Sequence, residues 1–148
     1  MGKTTLIQQV IHELDLETGG FYTREIREEG RRTGFEIKAL TAGLPRSEGI
    51  LAQVGWKSPY RVSRYGVNIK DMEEVGAKAL EEAREKSSFI IIDEIGNMEI
   101  ISNRFQKAVI ACLESKTPVL GVIKAGSGPF VNKIKSRLDV EIIELRRD

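Results

Sequence analysis

Between Ser88 and Glu94 the chain reads SFIIIDE. An unbroken apolar run leaves no polar face for water. As a strand it must be covered on both sides, which is the situation of a parallel sheet between helices. The flanking periodicities fit that arrangement. From Asp71, apolar Met72, Val75, Ala79, Leu80 and Ala83 form one helical face, and Asp71 with Glu74 has the spacing of a capping box. After the run, Phe105, Val109, Cys112 and Leu113 mark an inward helix face. PVLGVIK then reads as a strand, a short helix carries Phe130, Ile134 and Leu138, and VEIIEL reads as a last strand. Alternating helix and strand predicts an α/β layered fold with a mainly parallel sheet.

The first half differs. From Lys3 to Leu14 the residues Leu6, Val10, Ile11 and Leu14 recur at helical spacing, and Gly19-Gly20 is expected to end that segment. From about residue 20 to 69 the pattern becomes β-rich. GFYTREI and TGFEIKAL flank a charged turn over residues 28–32, and GILAQV and YRVSRYGVNI are further short strands among Pro45, Gly55 and Pro59. This stretch is expected as an antiparallel insertion. At 148 residues, with no internal repeat, the whole chain 1–148 is read as one domain.

Bulk properties narrow the function. A net charge of +1 supplies no global basic field, so strong nucleic-acid binding is not expected. One cysteine, Cys112, among apolar neighbours reads as a buried thiol, and with a single histidine, His12, a zinc site is not expected. No run is long or apolar enough for a membrane span and no signal-peptide core precedes the fold, so a cytoplasmic protein is expected. Oligomeric state and base preference have no sequence signal.

The chemistry lies in two separated pieces. Gly2-Lys3-Thr4 matches the close of the phosphate loop G-x-x-x-x-G-K-[ST]. Alone the tripeptide reads equally as the capped start of a helix. It does stand where a phosphate loop delivers its helix, whose N–H groups and dipole favour an anion. There Lys3 would reach the β- and γ-phosphates and the Thr4 hydroxyl would complete a Mg²⁺ shell. The second piece is FIIIDEIGNME, a strand ending in acids as a Walker B element requires. Asp93 would hold the magnesium, and Glu94 would orient or deprotonate the attacking water. The arginines Arg24, Arg27, Arg31, Arg32, Arg46, Arg61 and Arg64 crowd the β-rich stretch. Most read as a solvated hairpin face, and Arg61 and Arg64 are the better candidates for the γ-phosphate. Lys124, at the end of PVLGVIK, is a further cation at that edge. Trp56 and Tyr60 read as turn residues or as a stacking surface for a base.

GKTTLI, GFYTREIR with GRRTGFEI, YRVSRYGVNI and IIIDEIGNMEI, in that order, resemble the small P-loop nucleoside-triphosphatase family of thermophiles and animals, whose animal member is the cancer-related nucleoside triphosphatase. The resemblance covers nearly the whole chain. It implies a RecA-like or kinase-like P-loop fold in three layers, and slow, Mg²⁺-dependent hydrolysis of several nucleoside triphosphates to diphosphate and phosphate. By position it implies nucleotide contacts at Gly2, Lys3, Thr4 and Thr5, metal ligation by Thr4 and Asp93, and catalysis by Lys3 and Glu94. Gly96, Met98 and Glu99 match the rest of the second motif, while Asn97 stands where the family usually has lysine. The family opens with a strand and the first half of the loop and continues beyond the last strand, so this chain is expected to lack the first strand and to be short at both ends. Valine often precedes Gly-Lys-Thr in the family, and its codon GTG also initiates translation, so a start placed at that codon is one expectation. Weaker nucleotide binding than in a chain with the full loop is another. The other functions open to the sequence are a small-molecule or nucleoside kinase and a nucleotide-dependent RNA-associated module.

Overall fold

A computed structural model describes residues 2–13 and 17–145, with only the backbone described at positions 2 and 4. Thr4's predicted side-chain role, Leu14 and the terminal Arg146, Arg147 and Asp148 therefore lie outside the description. Helix α1 (Gly2–Glu13) leads into β1 (Thr18–Glu28), β2 (Arg31–Ala39), β3 (Glu48–Val54), β4 (Arg61–Val62) and β5 (Tyr65–Val67). A continuous helical rod follows, made of α2 (Ile69–Asp71), a π-helical stretch (Met72–Ala77) and α3 (Lys78–Lys86). Then come β6 (Phe89–Ile95), a 3₁₀ turn (Glu99–Ile101), α4 (Asn103–Glu114), β7 (Val119–Ile123) and α5 (Pro129–Lys135).

The seven strands make one mixed sheet, ordered β4-β5-β3-β2-β1-β6-β7. Among the described residues parallel pairing is confined to β1–β6 and β6–β7, and the remaining pairs are antiparallel. The β-rich stretch is thus an extension of the α/β sheet, joined through β1. The first residues of β1 pair with β6, Thr18 opposite Phe89, and its later residues pair only with β2. Glu28 faces Arg31 across Glu29-Gly30, with φ of 50° and 77°. Two consecutive positive φ values give the twist of a type I′ hairpin turn, which the predicted charged turn accommodates.

Helices cover the sheet on both sides. On one face the rod, α4 and α5 bury Phe21, Ile37, Met72, Val75, Leu80, Ile90, Ile92, Phe105 and Ile134 in the main core. On the other, α1 packs Ile7 on Ile91 and Val122. The three isoleucines of the SFIIID run therefore serve both faces in alternation, and all are 0% exposed. That is why the strand carries no polar residue until Asp93. No described helix is long and apolar enough to cross a membrane.

Several expectations are corrected. The inward stripe of α1 is shifted by one residue: Leu6 is exposed and Ile7 is buried, because the sheet meets the helix on the Ile7 side. Gly19-Gly20 does not close the helix but lies within β1. A Cβ on Gly20 (φ +98°) would sit 1.9 Å from the Ile91 carbonyl oxygen, so glycine there permits close approach of β1 to β6. Asp71 caps nothing, since Asn68 precedes it and its side chain accepts from the Asp71 N–H at 3.2 Å. The Asp71 carboxylate instead accepts from Arg46 at 2.6 Å and from the Ile50 N–H at 2.9 Å, tying the rod to β3. Finally, α5 ends at Lys135 with Leu138 fully exposed, and VEIIEL forms no strand. Its alternation is that of a strand, but it pairs with no strand, and β7, last in the sheet order, pairs only with β6 among the described residues. Asp139–Ile142 lie instead along a cleft of about 550 Å³ against β7.

Candidate active site

The carboxyl end of β6 gathers the acidic residues. Asp93 lies opposite Val122 of β7 and Ile95 opposite Ile123, so Glu94 between them has no partner residue on β7. Such a bulge re-aims a side chain and is common beside active sites. The Asp93–Glu94 peptide is cis. Ile91 faces α1, and by the two-residue period of a strand Asp93 points to that same side. Asp93 is 3% exposed and Glu94 half-buried.

The direction of α1 brings the other motif to this edge. Ile7, in mid-helix, sits on Ile91, and the chain reappears at Glu17, whose carbonyl accepts from the N–H groups of Ser88 (2.8 Å) and Phe89 (3.2 Å). Those residues mark the amino end of β6. The step from Glu13 to Glu17 reaches at most about 14 Å, so the last turn of α1 lies near that end. Its first turn, with exposed Lys3 and Thr5, is directed towards the carboxyl end. Asp93 and the start of α1 thus share one face and one edge of the sheet.

A third carboxyl, Glu99, joins them. It opens the 3₁₀ turn after the loop Gly96-Asn97-Met98 and is only 3% exposed. Glu99 Oε1 and Glu94 Cδ each lie 3.1 Å from the point that a Cβ on Gly96 would occupy. The two carboxyl groups fill the room of a missing side chain. Burial first, then the charge of Glu94 and more weakly that of Asp93, push the Glu99 acid up to about 8, against the pull of its own and Glu94's backbone N–H. Sequence reasoning matched Glu99 to a signature without giving it a task. Gly96, three residues ahead of it, was the available signal, since a Cβ there would crowd both carboxyls.

The other candidates divide. Lys124 donates its backbone N–H to the Ile95 carbonyl at 3.1 Å, so it stands beside the end of β6 as expected. Three of the hairpin arginines are engaged with the hairpin's own acids, Arg24 with Glu36 and Arg27 and Arg32 with Glu25. Arg46 is held by Asp71 and Glu74. Arg61 and Arg64, the preferred candidates for the γ-phosphate, are not brought to the site. They flank Ser63 in the β4–β5 turn, and β5 is separated from β6 by β3, β2 and β1, roughly 20 Å at the usual strand spacing. Arg64 donates to the Arg32 carbonyl (2.7 Å) and to the Tyr65 hydroxyl (3.3 Å), and its guanidinium lies over the Tyr65 ring. Trp56 and Tyr60 occupy the same far edge, where Trp56 closes a turn onto Gln53. Cys112 is a buried thiol whose environment raises it to about 12, and His12 is exposed on α1.

The donor set at β6 suits a hard cation. Among the described residues no three His, Cys, Asp or Glu groups close round a metal. Mg²⁺ needs no such cage: it takes one or two carboxylates and fills its octahedron with water and substrate phosphates. A buried aspartate at the edge shared with the start of α1 meets that need.

Comparison with known proteins places this arrangement. The profile of the family described as NTPase matches residues 1–148. Nucleoside-triphosphatase THEP1 of Thermotoga sp. (strain RQ2) is 49% identical over 145 residues, spanning 98% of this chain and 80% of the relative. The protein of the same name from Methanosarcina barkeri is 37% identical, spanning 100% and 86%. Among solved structures, a human cancer-related nucleoside triphosphatase superposes with a TM-score of 0.78 at 32% identity, over 100% of this chain and 85% of that one. The structure of THEP1 from Aquifex aeolicus gives 0.77 at 32% identity, over 91% and 78%.

Proposed function

Because this chain belongs to the NTPase family of nucleoside-triphosphatases, we propose that it hydrolyses nucleoside 5′-triphosphates to the diphosphate and inorganic phosphate in a Mg²⁺-dependent reaction at the carboxyl end of β6. The observation that carries this reading is the pairing of a buried Asp93 with a bulged, half-buried Glu94 on the edge towards which α1 begins.

Each group then has one task. The α1 N-terminus, through the backbone N–H groups of Gly2, Lys3, Thr4 and Thr5, binds phosphate oxygens, and the Lys3 ammonium reaches the β- and γ-phosphates. Asp93 and the Thr4 hydroxyl would hold Mg²⁺, which when bound neutralises charge on the phosphate oxygens. Glu94 accepts a proton from water as the water oxygen forms a bond to the γ-phosphorus and the bond to the β–γ bridging oxygen breaks. The bridging oxygen leaves with the diphosphate.

Two further properties belong to the proposal. Turnover is slow, because Arg24, Arg27, Arg32, Arg46 and Arg64 are bonded to other groups, and a guanidinium at the γ-phosphate is worth about 10³–10⁵ in rate. Base specificity is broad, because the stacking candidates Trp56 and Tyr60 lie on the far edge of the sheet. A cytoplasmic setting is consistent with a sole cysteine kept as a free thiol.

The test is phosphate release from ATP, GTP, CTP and UTP with Mg²⁺, with EDTA in place of Mg²⁺, and with Glu94→Gln. Release from all four that is lost in EDTA and in the variant is expected. Release only after adding an acceptor alcohol would make the protein a phosphotransferase instead.

A further inference from the structure

Hydrolysis as described uses Asp93 and Glu94 and leaves Glu99 idle. Yet Glu99 is 3% exposed, and carrying a carboxyl into an interior is costly unless its surroundings recover it. Its seat is built in detail. The Ile100 N–H donates to the Gly96 carbonyl at 3.1 Å and the Ser102 N–H to the Glu99 carbonyl at 3.2 Å, closing the turn on which Glu99 rides. The Ser102 hydroxyl donates to Glu73 at 2.7 Å and accepts from the Phe105 N–H at 3.0 Å, which pins that turn to the rod and to α4. So held, the Glu99 side chain turns back to the strand end it has just left. There Oε1 shares with Glu94 the room above Gly96, and the backbone N–H of Glu94 bears on the Glu99 carboxyl.

From this geometry we infer that Glu99 is a positioning residue for Glu94, holding its side chain and its bulged peptide where the attacking water stands. The inference rests on the proposed role of Glu94. Glu94 has no β7 partner residue, so the ladder that fixes Asp93 and Ile95 does not fix it. The shared space beside Gly96, with Glu94 Cδ and Glu99 Oε1 each 3.1 Å from where its Cβ would be, takes the place of that ladder. Gly96 is part of the device, since a Cβ there would crowd both carboxyls at 3.1 Å.

The test is a double-mutant cycle on ATP hydrolysis by the intact chain, with melting temperatures recorded for every variant. Glu99→Ala is expected to lower kcat about tenfold or more with KM within about twofold, since misplacing a catalytic group by an ångström costs up to about 10². Glu99→Gln, which keeps the shape and hydrogen-bonding atoms, is expected to stay within about threefold of the wild type. In a Glu94→Gln background, Glu99→Ala is expected to cause no further loss, because nothing is left to position. Losses that multiply in the double variant, equal losses in the alanine and glutamine variants, or no loss in Glu99→Ala would each overturn the inference. A Glu94→Gln variant as fast as the wild type would instead overturn the hydrolytic role of Glu94 itself.

Discussion

Replacing Glu99 by glutamine should change how the protein's stability depends on pH, in a direction fixed by the site. The Glu99 acid ordinarily titrates at 4.5 and in the folded chain at about 8. Below pH 4.5 it is protonated folded or unfolded and contributes no slope. Between 4.5 and 8 the folded chain keeps a proton that the unfolded chain has released, so stability falls as pH rises. The slope is about 1.4 kcal/mol per pH unit for one proton, and the whole window costs on the order of 5 kcal/mol. Above pH 8 the loss is complete and the curve flattens again. Other shifted carboxyls act elsewhere: Glu25, Glu81, Glu82 and Asp139 are held below their ordinary values and titrate under the window, and the Cys112 thiol lies near 12. Glu99→Gln removes the linked proton and keeps the shape. Urea unfolding of both proteins at pH 5, 6, 7 and 8, in EDTA without nucleotide, reads the difference directly. Stability of the glutamine variant relative to the wild type should climb with each step. Parallel profiles for the two proteins would refute the buried, charge-crowded setting of Glu99.

Three other perturbations probe the frame around the site. Gly20→Ala forces a positive φ on an L side chain and a Cβ 1.9 Å from the Ile91 oxygen, so it should cost about 3 kcal/mol or more in urea unfolding. Ser102→Ala removes the cap of α4 and the hydroxyl that donates to Glu73, and a loss of about 1 kcal/mol is expected by the same measurement. Cys112, buried and with its thiol pushed up to about 12, should react with iodoacetamide at neutral pH only when urea unfolds the chain.

Much of this architecture is legible in the chain, and the illegible parts share a cause. The SFIIID run, the Met72–Ala83 face and the Phe105–Cys112 face state their burial locally, because a buried strand or helix stripe needs no partner's identity to be recognised. The Asp93-Glu94 pair is equally plain, as acids rarely end so apolar a run. What sequence could not supply were facts about neighbours. Gly19-Gly20 look like a helix stop until β6 is placed against them. Asp71 looks like a cap until Arg46 arrives from the β2–β3 connection to claim it. VEIIEL looks like a strand, yet it stays unpaired beside the cleft along β7. Arg61 and Arg64 stand out as arginines of a less charged segment, and only the strand order shows them on the opposite flank. Glu99 escaped because its significance lies in a space above Gly96 that no linear pattern records.

The central claim is that the acidic end of β6 activates water against a γ-phosphate, with Glu94 as the base. Single-turnover release of γ-phosphate from ATP with Mg²⁺, compared between the wild type and Glu94→Gln alongside ATP affinity, tests it most directly. A loss of about 10²–10⁴ in the chemical step with affinity nearly unchanged is predicted. An undiminished step in the variant would contradict the account.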